Sequence, residues 1–183
     1  MAERPGPTKR LFLTVGTTSF DRLVDAVDQI TFLDKLAALG FSRFIMQIGK
    51  GEREPRVASH AGVSVEWFRF KPTLDDEIRA ADLIISHAGA GSILEALRAQ
   101  KRLLVVINDA LMDNHQTEVA EAMHDDNYLT TATSPAPDVL LTKVEEALVR
   151  PLDPYPPCDR SKFYEAIQRH TGVPPVGSDD TQD

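Results

Sequence analysis

The chain has 183 residues, 42% hydrophobic, 7% aromatic and 26% charged, which is enough for one sizeable core and too little for a two-domain enzyme. Its 28 Asp and Glu against 20 Lys and Arg leave a formal charge of −8, so a broad footprint on nucleic acid or on an anionic bilayer is not expected. The single cysteine, Cys158, allows no internal disulfide and no cysteine-based zinc site, and points to a reducing compartment.

Residues 1–7 lack the apolar stretch of a secretion signal, and the longest apolar run, 103–107, is too short to span a membrane. From there, short apolar runs alternate with longer amphipathic stretches. The runs predict strands over 11–15, 43–48, 63–70, 82–86 and 103–107, and a weaker one over 127–130. Between them, helices are expected over 21–39, 75–81, 92–100, 114–124 and 138–149. In the first, Leu23, Val27, Ile30, Leu33 and Leu36 recur at helical spacing, and Gly40 stands where a C′ residue belongs. This is the pattern of an α/β, Rossmann-like parallel sheet with helices on both faces.

Four prolines within residues 151–157 end the core domain near Arg150 and predict an extended tether. The expected organisation is a ligand-binding domain over 9–150, a tether with a short amphipathic helix (161–170) over 151–171, and a disordered tail over 172–183.

In an open parallel sheet, ligands sit beyond the carboxyl ends of the strands. Three loops there carry candidate groups. The first strand runs into Gly16-Thr17-Thr18-Ser19 and a helix start, where backbone N–H groups and the helix dipole can hold a phosphate without Lys or Arg; an ordinary turn capped by Thr18 or Ser19 is the structural alternative. The fourth strand ends in Ser86-His87-Ala88-Gly89-Ala90-Gly91-Ser92, small enough for close approach of a ligand to the backbone. It is not the GxGxxG fingerprint, since Leu94 stands where the third glycine belongs, and the Walker ending is missing. Glu95 fits either a capping box with Ser92 or a carboxylate for ribose hydroxyls. The fifth strand leads to Asp113-Asn114-His115-Gln116, where amide and imidazole suit sugar hydroxyls and an acetamido group, or where Asp113 and Gln116 serve as cap and partner. Three such loops on one sheet edge favour a binding site.

Other features read as structural. His60, His87, His115, His124 and His170 lack metal-ligand spacing, and no GxSxG elbow is present. Gly49-Lys50-Gly51-Glu52 reads as a mobile surface loop, the acids around Asp113–Asp126 as a solvated face, and Trp67 and Phe68 as core or interface.

The runs Phe12-Leu13-Thr14-Val15-Gly16-Thr17-Thr18-Ser19-Phe20-Asp21, Asp82-Leu83-Ile84-Ile85-Ser86-His87-Ala88-Gly89-Ala90-Gly91-Ser92 and Asp113-Asn114-His115-Gln116 together resemble the catalytic-subunit family of the two-part eukaryotic UDP-N-acetylglucosamine (UDP-GlcNAc) transferase. The resemblance covers about residues 9–170, including the Pro-rich tether and Ser161-Lys162-Phe163. The wider family it is similar to is the bacterial peptidoglycan GlcNAc transferase, a GT-B enzyme of two Rossmann-like halves, of which this chain resembles the C-terminal, donor half.

What the resemblance implies is specific. UDP-GlcNAc is the donor, with no tightly bound cofactor and no metal. Gly16, Thr17, Thr18 and Ser19 face the UDP phosphates, and Glu95 the ribose. His115 and Gln116, with Asn114 beside them, face the GlcNAc hydroxyls. His87, Ala88, Gly89, Ala90, Gly91 and Ser92 complete the donor site. The first loop departs from the bacterial glycine-rich pattern at Thr17, Thr18 and Phe20, and His115 replaces an amide. The implied reaction is inverting addition of a β1,4-linked GlcNAc to GlcNAc-diphosphodolichol. It takes place at the cytosolic face of the endoplasmic reticulum, in a heterodimer with a membrane-anchored subunit that binds the lipid-linked acceptor and carries the general base. The helix 161–170, with Tyr155 and Phe163, is the expected clasp to that partner or to the chain's own core. The alternatives are a non-catalytic nucleotide-sugar-binding or regulatory module and, less in keeping with the missing third glycine, an epimerase or NAD enzyme.

Overall fold

Strands that are apolar without interruption need cover on both faces, and the computed structural model, which describes residues 8–107 and 114–157, supplies it. In chain order the elements are β1 (Lys9–Thr14), α1 (Asp21–Val27), α2 (Ile30–Ala38), β2 (Phe41–Gln47), β3 (Ser59–His60), β4 (Val63–Phe68), α3 (Asp75–Ala80), β5 (Leu83–His87), α4 (Ala90–Arg98), β6 (Arg102–Val106), α5 (Asn114–Asp125), β7 (Thr130–Ala132) and α6 (Pro137–Val149). The loop 108–113, the side chains of residues 114–117, the expected helix 161–170 and the tail 172–183 lie outside the described residues.

The sheet order is β3-β4-β2-β1-β5-β6-β7, parallel throughout except for the β3–β4 pair. Side chains alternate between two cores. Leu11, Leu13, Leu83, Ile85, Leu104 and Val106 face α1, α2 and α6. Phe12, Ile84, Leu103 and Val105 face α3, α4 and α5. At roughly 25 cal/mol per Å² of apolar surface removed from water, burial in these two layers is the main favourable term in folding.

The expected helix 21–39 is two helices. Its break at Asp28 and Gln29 has a tertiary cause: the Asp28 carboxylate accepts the backbone N–H groups of Arg56 (2.8 Å) and Val57 (3.1 Å). The restart turns Ile30 outward, so this residue is 54% exposed and not part of the apolar stripe. A two-residue antiparallel edge strand, β3, was not expected; it joins β4 through Ala61 and Gly62, both at positive φ. The last strand begins at Thr130 rather than at 127, because Asn127 (φ 63°) terminates α5 in the left-handed conformation, with Tyr128 N–H donating to the Met123 carbonyl.

The described part of the tether, residues 151–157, has no helix or strand and packs on the core through Tyr155. Tyr155 meets the Tyr128 ring edge-on (centroids 5.2 Å apart), and its carbonyl accepts from Gln100 Nε2 at 2.7 Å. Its ring is therefore engaged with the chain's own core.

Candidate donor-binding cleft

The chain builds β1, β2, β4 and β3 toward one edge, then returns to the other side of β1 with β5, β6 and β7. The strand order reverses between β1 and β5, and a crevice opens at their carboxyl ends. There, a cleft of ≈ 500 Å³ is walled on one side by Gly16, Thr17, Gln47, His87, Gly89, Gly91, Ser92 and Glu95, and on the other by Lys71–Asp75 and Ile78.

His87, the last residue of β5, sets the spacing of the two loops. A Cβ on Gly16 would lie 2.7 Å from His87 Cε1, and one on Gly89 would overlap the same ring. Gly16 also has φ +62°, so both space and backbone require glycine. Burial pushes the His87 pKa below its usual value, opposed by the backbone carbonyl of Thr14, and the ring is neutral at neutral pH.

Gly49-Lys50-Gly51-Glu52 is held firmly, contrary to the expectation of a mobile loop. Gly49 (φ +55°) sits against the carbonyl oxygens of Gly16 and Thr18, and Lys50 N–H donates to Thr18 O at 2.8 Å. The Asp21 carboxylate accepts Glu52 N–H and Arg53 N–H, each at 3.3 Å, and Arg69 Nη1 donates to Gly51 O at 2.6 Å. These contacts buttress the Gly16 turn from below.

Two of the capping alternatives do not survive, and that of Asp113 with Gln116 lies outside the described residues. The N-cap of α1 is Phe20, with no side-chain cap, while the Thr18 hydroxyl donates to Val15 O at 3.0 Å. Helix α4 starts at Ala90 behind Gly89, two residues before the expected Ser92, again with no side-chain cap. Ser92 is then inside the first turn and Glu95 is the sixth helical residue, out of capping-box register. The Glu95 carboxylate is exposed to the cleft side with no hydrogen-bond or ion-pair partner among the described residues.

Of the expected donor-site residues, Gly16, Thr17, His87, Gly89, Gly91, Ser92 and Glu95 line the cleft. Thr18, Ser19 and Ala90 are exposed beside it. Ala88 is buried among the α4-side core residues, because the strand-to-helix turn points it inward. Asn114, His115 and Gln116 occupy the first turn of α5, which follows β6 beside β5; their side chains lie outside the described residues. Gln47 and the segment Lys71–Asp75 were missed. Gln47 had a signal: it is the one amide in the apolar run Phe44-Ile45-Met46-Gln47-Ile48, at the carboxyl end of its strand. Among the described residues no three His, Cys, Asp or Glu side chains converge as a metal site, and no helix is long and apolar enough to cross a membrane.

Comparison with known proteins agrees with this geometry. Residues 10–170 match the model of the glycosyltransferase family 28 C-terminal domain. The chain is 46% identical over 125 residues to the human UDP-N-acetylglucosamine transferase subunit ALG13, covering 68% of this chain and 11% of that protein. It is 32% identical over 187 residues to the Saccharomyces cerevisiae protein of the same name, covering 85% of this chain and 92% of that one. Among solved structures, the solution structure of ALG13 superposes with a TM-score of 0.63 at 30% identity, over 90% of this chain and 96% of that one. The Acinetobacter baumannii MurG structure, at 18% identity and a TM-score of 0.58, shares the fold over 92% of this chain and 51% of its own. The sheet is thus that of the C-terminal half of GT-B glycosyltransferases, and the chain belongs to the ALG13 family of UDP-N-acetylglucosamine transferase subunits within glycosyltransferase family 28.

Proposed function

We propose that this chain is the donor half of an inverting UDP-GlcNAc transferase, holding UDP-GlcNAc in the β1/β5 cleft. The observation that carries the reading is the convergence, at the switch point of the sheet, of an uncapped α4 start, the Gly16 turn and the unpartnered Glu95 carboxylate. The α4 N-terminus and the Gly16 turn offer backbone N–H groups to the diphosphate. Glu95 stands about 7.5 Å further along the α4 axis, a distance suited to the ribose of the same nucleotide, whose hydroxyls it accepts. In this reading an acceptor hydroxyl attacks the anomeric carbon from the face opposite UDP. The new glycosidic C–O bond forms as the bond to the diphosphate oxygen breaks, and the electron pair leaves on UDP. Preorganised N–H donors stabilise that growing charge without a resident metal or cofactor.

The acceptor is GlcNAc-diphosphodolichol, to which a β1,4-linked GlcNAc is added for N-glycan assembly. A membrane-anchored partner subunit binds this lipid, supplies the general base and recruits the chain to the cytosolic face of the endoplasmic reticulum. The subunit wording in the names of the relatives supports a two-part enzyme. The test is a transfer assay with UDP-GlcNAc and a lipid-diphosphate GlcNAc. The chain co-expressed with its partner should transfer GlcNAc, and the chain alone should show negligible turnover. Robust activity of the isolated chain, or an inactive complex that still binds UDP-GlcNAc, would contradict the proposal; the second result would favour a non-catalytic binding module.

A further inference from the structure

Three of the polar residues buried in the described structure form a row beneath the cleft. Thr14, the last residue of β1, is in register with Gln47 of β2 on one side and with Ser86 of β5 on the other. They are 3%, 4% and 0% exposed. Gln47 has the most to account for, since an amide taken out of water needs partners for both its ends.

One end is satisfied within the row. Gly16 N–H donates to Thr14 Oγ1 at 2.9 Å, and Thr14 Oγ1 donates its proton to Gln47 Oε1 at 2.6 Å. This relay fixes which way the amide faces, because a flipped amide would aim an N–H at an oxygen that already accepts from Gly16 and would take the acceptor away from the hydroxyl proton. The other end, Nε2, has no hydrogen-bond partner among the described residues. It is not one of the atoms sealed without a partner, which are Arg43 Nε, His87 Nδ1 and Thr130 Oγ1. Gln47 is part of the cleft wall, so its Nε2 donors open onto the ligand space.

We infer that Gln47 is a phosphate ligand of the nucleoside diphosphate, its amide N–H groups donating to a phosphate oxygen, with Thr14 as the residue that positions them. The inference rests on the donor-site reading above. A phosphate oxygen fits better than a sugar hydroxyl. The amide's acceptor end is already occupied, so only donors face the cleft, and a proton-free oxyanion suits a donor-only group. Gln47 also stands beside the Gly16 turn, on the side of the sheet that faces α3 and α4, where the helix start favours negative charge.

The test uses the full chain, titrated calorimetrically with UDP and separately with uridine. Gln47→Glu keeps the shape and the bond from Thr14 but turns a carboxylate to the phosphate; Gln47→Met removes the donors. Both should weaken UDP about tenfold or more while uridine binding stays within about twofold, and the loss in the Glu variant should ease at acidic pH as the carboxyl protonates. Thr14→Val should give a smaller loss of the same kind. Equal weakening of UDP and uridine would make Gln47 a structural residue and overturn the inference, as would unchanged UDP affinity in the two Gln47 variants. Failure of the wild-type chain to bind UDP would overturn the donor-site reading and this inference with it.

Discussion

The two edges of the sheet treat their helix ends in opposite ways. At the amino edge, where helices finish, long cations close the last carbonyls. Lys9 Nζ donates to Leu39 O beyond α2 at 2.8 Å, Lys101 Nζ to Arg79 O and Ala81 O around the end of α3, Arg102 Nη1 to Ala147 O and Arg150 O at α6, and Arg150 Nη2 to His124 O in α5. At the carboxyl edge, where α1, α3 and α4 begin, none of the three N-cap residues makes a side-chain cap, Thr73 Oγ1 accepts the first N–H of α3 at 3.2 Å, and Glu95 and Gln47 Nε2 are left open among the described residues. Satisfied ends build stability and unsatisfied ends build a site. The difference teaches that the cations named here are committed to backbone carbonyls, and Lys71 in the cleft wall to Glu77, so in the proposed reading an anion in the cleft is met by the backbone and an amide.

The contrast can be broken from the carboxyl edge first. Gly49→Ala places a side chain at φ +55° against the carbonyl oxygens of Gly16 and Thr18. It should cost about 1–3 kcal/mol of stability and also displace the Gly16 turn, so both the melting temperature and UDP affinity should fall; a variant that keeps both would remove the buttress from the account. Arg102→Met, at the opposite edge, should lose about 1–3 kcal/mol of stability by orphaning two part-buried carbonyls. The assembled enzyme should keep its KM for UDP-GlcNAc, and a raised KM would show that the edges are coupled. Glu95→Ala should do the reverse, lowering kcat/KM for UDP-GlcNAc about tenfold while leaving thermal melting unchanged, because its carboxylate supports no contact among the described residues. A drop in melting temperature with unchanged kinetics would restore a structural role.

The smallest effect concerns His87. Its pKa is lowered by burial from the usual 6.5, so the unfolded chain binds the proton more readily and stability rises with pH through that window. The contribution is complete above about pH 6.5 and is lost as pH falls below it toward the lowered folded value. Melting curves between pH 7.5 and about 5 should decline, and the decline should be shallower in His87→Gln. Parallel declines in the two proteins would assign the pH dependence to other groups.

The sheet was legible because its strands are buried on both faces and therefore read as unbroken apolar runs, as in Leu83-Ile84-Ile85 and Leu103-Leu104-Val105-Val106. Gly40, at φ +84°, stops α2 as its position implied. What escaped was tertiary in origin. The break at Asp28 exists to hold a loop 28 residues away, and local periodicity carries no trace of it. Ser92 satisfied a capping motif that Gly89 pre-empted, because the turn from β5 is only two residues long. Within the site, glycines and hydroxyls announced themselves by spacing. Gln47 showed only as an amide at the end of an apolar run, and its orientation was not legible because it depends on Thr14 lying across from it in the neighbouring strand.

The most direct measurement is an amide chemical-shift titration of the full chain with UDP-GlcNAc. The account predicts shifts concentrated at Gly16, Gly89, Gly91 and the Gln47 side-chain amide, with the amino-edge residues Leu39, Arg102 and Val149 unmoved. Shifts centred on that opposite edge, or none under saturating ligand, would contradict it.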